Sequence, residues 1–176
     1  MSEYYLNTSN INEWVENLSA GDRIFLSGTV FTARDAAHKR IKKLIEEGAS
    51  LPFDIKDSVV YFAGPTPAKE NLAIGSIGPT TSSRMDGFSP LLISLGQKAM
   101  IGKGDRSPEV YEAIKAFKAV YFAAIGGAGA LYAGAVEACE VIAFEELGCE
   151  SVKRLTVKDF PLIVAIDSKG NSLYNK

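Results

Sequence analysis

Cysteine, histidine and tryptophan are scarce: the chain has two Cys, one His and one Trp in 176 residues. Two thiols in a chain this long do not make a disulfide framework, which points to a reducing cytoplasm. Nor can Cys139, Cys149 and His38 alone supply the four ligands of a structural zinc or the thiolates of a typical iron–sulfur cluster. Any metal chemistry therefore needs a partner chain. Seven prolines and sixteen glycines are too few for collagen-like or mucin-like sequence. Neither sign of charge dominates: 19 Lys and Arg stand against 21 Asp and Glu, for a net charge of -2, which excludes the broad basic footprint of a nucleic-acid binder. The N-terminal stretch has no basic region leading into an apolar one, so no secretory signal is expected there.

One long uncharged run is present, Ala119 to Val136, at the lower edge of a membrane span. Its four glycines argue for a buried strand, a Gly126–Gly129 turn and a small-residue helix continuing toward Glu146. The turn also fails as a dinucleotide fingerprint, because the third glycine position falls on Tyr132.

What the chain does contain is 47% apolar and 23% charged residues, the profile of one ordinary globular domain. At this length roughly 70% of the unfolded surface is buried, enough for a core without staples. Helix and strand signals alternate without repeats, giving an α/β fold. The first 20 residues read as a helical extension, opened by Ser9 or Asn10, with Ile11, Trp14, Val15 and Leu18 on one face. Arg23–Val30 reads as a strand. Arg34 to Glu47 reads as a helix with Ala37, Ile41 and Ile45 inward and a wet face of Lys39, Arg40, Lys42 and Lys43. Val59–Ala63, Met100–Gly104 and Val120–Ile125 read as strands. Ser107–Pro108–Glu109 opens another helix. Leu155–Val157 and Phe160–Ile166 read as two further strands, followed by a hairpin-like turn at Asp167–Asn171.

Three segments concentrate polar groups beside glycine. In Gly28–His38 a strand passes into a helix, whose N-terminal N–H groups attract anions and where Arg34 adds a carboxylate fork; the plainer reading has Thr32 capping the helix and Arg34 pairing with Asp35 or another acid. Gly75–Asp86 carries five hydroxyl side chains and Arg84 in a glycine-rich loop suited to a carboxylate or phosphate, or simply to turns. Gly102–Arg106 sets Lys103 between two glycines without a P-loop frame. Composition reaches a small anionic ligand held by Arg34, Arg84 and Lys103, and stops there.

Four motifs in order carry a resemblance: T-A-R-D-A-A-H (Thr32–His38), G-P-T-T-S-S-R-M-D (Gly78–Asp86), I-G-K-G (Ile101–Gly104) and D-F-P (Asp159–Pro161). From about Gly21 onward the chain resembles the C-terminal domain of class I fumarate hydratases, a separate β subunit in some organisms and related to the β subunit of L(+)-tartrate dehydratase. The resemblance implies a swivelling β/β/α domain with a mixed sheet and flanking helices. It implies reversible hydration of fumarate to L-malate by a hydro-lyase, with L(+)-tartrate or mesaconate as alternative substrates. It also implies a [4Fe-4S] cluster held by three cysteines of a partner α subunit, in an α2β2-like hetero-oligomer, with a homodimer for the isolated chain. Arg34 and Arg84 would then clamp the carboxylates, with Lys103 and Thr81 at the same pocket, and the catalytic residues would be Thr80 as acid/base and His38 beside it. A non-catalytic anion-binding or assembly module is the reading from a different class.

Overall fold

Three short apolar runs set the centre of the fold, Val59–Tyr61 (β3), Ala99–Gly102 (β4) and Val120–Ala123 (β5), almost every residue of them buried. Burial of both faces is what a covered parallel sheet demands of its strands. Side chains alternate between two apolar clusters: Val59, Tyr61, Ala99, Ile101, Val120 and Phe122 enter one, while Val60, Met100 and Tyr121 enter the other. In this computed structural model, which describes residues 1–174, β3, β4 and β5 pair in parallel register and join β2 (Arg23–Thr32) on one side.

The connections carry helices α2 (Asp35–Glu46), α3 (Ser89–Ser94) and α4 (Pro108–Phe117), whose Ala37, Ile41, Leu92, Ile93, Val110 and Ile114 all bury in the second cluster. Right-handed crossovers between strands laid down in consecutive order put their helices on one face. As expected, the lysines of α2 lie on its wet side, where Lys42 and Lys43 pair with Glu46 and Glu47.

The opposite layer departs from the sequence reading. Residues 1–20 are not only helical: β1 (Glu3–Asn7) pairs in parallel with the start of β2, ahead of a short helix α1 (Ile11–Trp14) flanked by 3-10 turns. Ile11, Trp14, Val15 and Leu18 are buried in the first cluster as the periodicity required. The glycine turn after β5 leads into only a short helix, α5 (Gly129–Gly134). The rest of the expected helix is an edge strand, β6 (Val136–Ala143). Its register shifts near Val136–Ala138 and Val141–Ala143 leave Glu137 and Glu140 both exposed, a three-residue spacing that imitates a helix.

The two strands expected after residue 151 are one, β7 (Val152–Ile166). Where β2 advances from Leu26 to Gly28, β7 advances from Phe160 back to Val157, so an extra residue is accommodated with Asp159 at φ 50°. The Asp159 amide donates to Ser27 Oγ (3.0 Å). β7 pairs antiparallel with β6, with β2 and with β5, so the pairings β2–β3–β4–β5–β7–β2 close a ring. After β7 the buried Asp167 carboxylate accepts from the amides of Ala20, Lys169 and Asn171. No helix among the described residues is long and apolar enough to cross a membrane.

Candidate active site

Strands β2 to β5 run parallel, so their C-terminal ends share one edge, and each of the three polar segments leaves from that edge. In open α/β folds the crevice outside those ends is where ligands bind. Arg34 follows β2, Thr80, Thr81 and Arg84 lie in the loop after β3, Lys103 follows β4, and Gly126–Gly129 follows β5.

Backbone hydrogen bonds bring these segments together. The Thr80 amide donates to the Phe62 carbonyl (2.7 Å) and the Ser82 amide to the Lys103 carbonyl (2.9 Å), with a parallel bridge between Thr81 and Lys103. The loop can lie this close because residue 102 is glycine: a Cβ there would collide with Ser82 Oγ and sit 3.0 Å from the Phe62 ring. The Lys103 ammonium runs over the glycine turn, 3.9 Å from where a Gly126 Cβ would be. Thr80 is half-buried and Thr81 exposed.

The two arginines each meet an acid. Arg84 Nε donates to Asp35 Oδ1 at 3.0 Å, joining the loop after β3 to the first turn of α2. Arg34 occupies the N-cap position of α2 with extended backbone, and its Nε stands 3.8 Å from Glu150 Oε1. Both of those atoms, with Asp35 Oδ2, are buried and have no hydrogen-bond partner. The Arg34 side chain lies flat on Gly64, where a Cβ would be 3.2 Å from its Cδ and Nη1. Thr32 does not cap α2; it is buried and accepts from the Lys153 amide (3.2 Å).

His38 sits beneath this surface, 1% exposed, with its ring against Phe62 and Phe88. Its Nδ1 is 2.8 Å from the Arg34 carbonyl. A carbonyl only accepts, so Nδ1 carries the proton and the buried, unpartnered Nε2 is a bare lone pair. Burial, reinforced by the nearby Arg106 charge, pushes the imidazole down to about 4, against the Arg34 hydrogen bond and Asp35, which favour the charged form.

Arg106, in the segment beside Lys103, was not singled out by the sequence reading. Its guanidinium is fully buried, bonded to Asp86 Oδ1 (2.6 Å) and Ser89 Oγ (2.7 Å), and stacked over the Phe62 and Tyr121 rings. It braces the loop from below. Tyr121 adds a second brace, its hydroxyl 2.9 Å from Ser82 Oγ and 2.8 Å from the Gly104 carbonyl. Burial raises that phenol well above its ordinary value, so it stays protonated. The sequence offers Asp35 as an acid for Arg34, but Asp35 bonds Arg84 instead, and Arg34 stands beside Glu150. Glu150, far away in sequence, left no signal.

The donor set does not fit an iron–sulfur cluster. Cys139 is half-buried on β6, Cys149 is exposed, and among the described residues no group of three or more His, Cys, Asp or Glu is placed to hold a metal ion.

Fold and site thus define an α/β domain presenting two arginines, a lysine and two threonines from the carboxyl ends of parallel strands. A family model described as Fumarase C-terminus matches residues 1–176, and the chain belongs to that family. Fumarate hydratase 2 of Leishmania major is 39% identical over 168 residues, covering 94% of this chain and 30% of that protein. The aerobic class I fumarate hydratase of Escherichia coli (strain K12) is 38% identical over 156 residues, covering 88% of this chain and 28% of that protein. A putative L(+)-tartrate dehydratase subunit beta of Methanocaldococcus jannaschii is 42% identical over 168 residues, and here the match spans 92% of this chain and 86% of the relative. The chain therefore spans less than a third of the fumarate hydratases and nearly all of the subunit.

Proposed function

We propose that the chain is the β subunit of a two-subunit hydro-lyase that hydrates fumarate reversibly to L-malate. The observation that carries this reading is the convergence of Arg34, Arg84 and Lys103 with Thr80 and Thr81 on one edge of the sheet. Planar guanidinium forks match carboxylates and stay charged at any working pH, so two of them suit a dicarboxylate. Hydration places a hydroxyl on one carbon and a proton on its neighbour. We assign the proton transfer to the Thr80 hydroxyl, with Thr81 as the adjacent alternative. A plain hydroxyl is too weak an acid to do this unaided, so on this reading Thr80 needs activation by cations of the site or by the cluster. His38, buried and neutral, holds the Arg34 carbonyl at the start of α2, and we assign it a positioning role.

The cluster and its cysteine ligands belong, on this reading, to an α subunit: among the described residues this chain has no group placed to hold a metal ion, and it spans less than a third of the fumarate hydratases it matches. The complex is α2β2-like and cytoplasmic, and this chain forms its single swivelling β/β/α domain. Similarity to a tartrate dehydratase subunit supports L(+)-tartrate as the second candidate substrate.

Anaerobic reconstitution with a cluster-bearing α chain, assayed against fumarate, L-tartrate and mesaconate, tests the reading. Fumarate is expected to be consumed only when both chains are present. Thr80→Val is expected to cost about a hundredfold in kcat, within the range of one positioned acid or base, and Thr81→Val less than about tenfold. Inactivity toward all three substrates, with no association, would leave the anion-binding module as the better description.

A further inference from the structure

We infer that Asp35 and Glu150 are positioning residues for the two clamp arginines, Asp35 through a hydrogen bond to Arg84 Nε and Glu150 through a longer charge contact at Arg34 Nε, so that the terminal Nη1–Nη2 fork faces the substrate. The inference rests on the hydratase reading above. Arg84 Nε is 3.0 Å from Asp35 Oδ1, and Arg34 Nε is 3.8 Å from Glu150 Oε1. Among the described residues, neither arginine's Nη1 or Nη2 has a hydrogen-bond partner. The two contacts come from unrelated elements, and only the one between Asp35 and Arg84 is a hydrogen bond. Asp35 stands in the first turn of α2 and reaches the loop after β3, while Glu150 comes from the 3-10 turn between β6 and β7 and reaches the residue after β2.

A guanidinium has two edges that can take a carboxylate: Nε with one Nη, and the two Nη atoms together. A protein acid on the terminal edge would compete with substrate. One on Nε leaves the terminal edge open and removes most of the rotational freedom of a long side chain, which otherwise has to be lost on binding. Unpartnered buried atoms on both acids, Asp35 Oδ2 and Glu150 Oε1, mark a site whose polar groups are not all satisfied within the chain. Arg84 and Asp35 are 52% and 32% exposed, so their pair adds little to stability and its loss does not unfold the domain.

The test uses the reconstituted αβ complex and, separately, this chain alone. In the complex, Asp35→Ala and Glu150→Ala are expected to raise KM for fumarate by about tenfold with kcat within about threefold, the split that marks lost binding rather than lost chemistry. Asp35→Asn is expected to recover KM to within about threefold, because its amide oxygen still accepts the Nε proton. In the isolated chain, nitrogen-15 NMR is expected to show a slowly exchanging Arg84 Nε–H signal that Asp35→Ala abolishes and Asp35→Asn retains. An unchanged KM in Asp35→Ala, or an Arg84 signal indifferent to that substitution, overturns the inference. An inactive wild-type complex with the Arg84 signal intact overturns the hydratase reading instead, and reduces the pair to a structural contact.

Discussion

Two arginines, Arg84 and Arg106, illustrate how burial decides what a side chain does. Arg84 is half-exposed and held only at Nε, whereas Arg106 is sealed beneath the loop with an acid, a hydroxyl and two aromatic faces. Arg84→Met is expected to lower kcat/KM of the reconstituted enzyme by on the order of a hundredfold to a thousandfold, with a change of less than about 0.5 kcal/mol in urea unfolding. Arg106→Met leaves Asp86 without its counter-charge, and its expected cost is about 3–5 kcal/mol in the same unfolding measurement. His38 supplies a pH signature. Its pKa is pushed from an ordinary value near 6.5 to about 4 in the folded chain, so the unfolded chain binds the extra proton over that window. Stability from this residue is present above pH 6.5 and is lost as pH falls toward 4, by on the order of 3 kcal/mol. His38→Asn, whose amide can replace the Nδ1 donor, is expected to remove that part of the slope when urea midpoints are compared between pH 7 and pH 4.5.

Elements were legible where one period was uncontested. Helix α2 follows its apolar stripe to within a residue or two at each end, and β2 and β5 follow their β-branched and aromatic runs. Two of the failures, in β6 and β7, share one cause, an irregularity that breaks the strand period; β1 is a regular strand too short to stand out beside the helical stripe that follows it. In β6 the register shifts put Glu137 and Glu140 on the wet side at helical spacing, and in β7 Asp159 and Pro161 imitate a loop inside a strand that continues through them. At this scale the close approach of the Thr80–Arg84 loop to β4 depends on Gly102. Gly102→Ala is expected to destabilise the domain by about 1–3 kcal/mol, as overpacking generally does, because the added Cβ meets Ser82 and Phe62. Adding Ser82→Ala is expected to restore part of that loss in chemical denaturation, by removing the Oγ in the way.

For the molecule as a whole, the ring of strands makes the N-terminal segment part of the core. Trp14, the one tryptophan, is 7% exposed and packs in the same cluster as Phe122 of the central sheet. Its fluorescence and the far-UV circular dichroism are therefore expected to follow one urea transition. A separate, earlier fluorescence change would mean that residues 1–20 are an independent appendage. The candidate site, by contrast, is no one segment's property. Arg34, Thr80, Arg84 and Lys103 were each visible as polar groups beside glycine, since such residues are rare in a core and cheap in a loop. Asp35 as the partner of Arg84, Glu150 as the partner of Arg34, and Arg106 as the brace were not, because each pairing joins chain positions that only the closed sheet brings together. Local side-chain chemistry and periodicity thus determined the α/β class, most helices and strands and the kinds of group available to a ligand. Strand order, ring closure and burial decided which of those groups face one another and which arginine is left exposed. Those are set by long-range pairing and desolvation, which no short window of sequence contains.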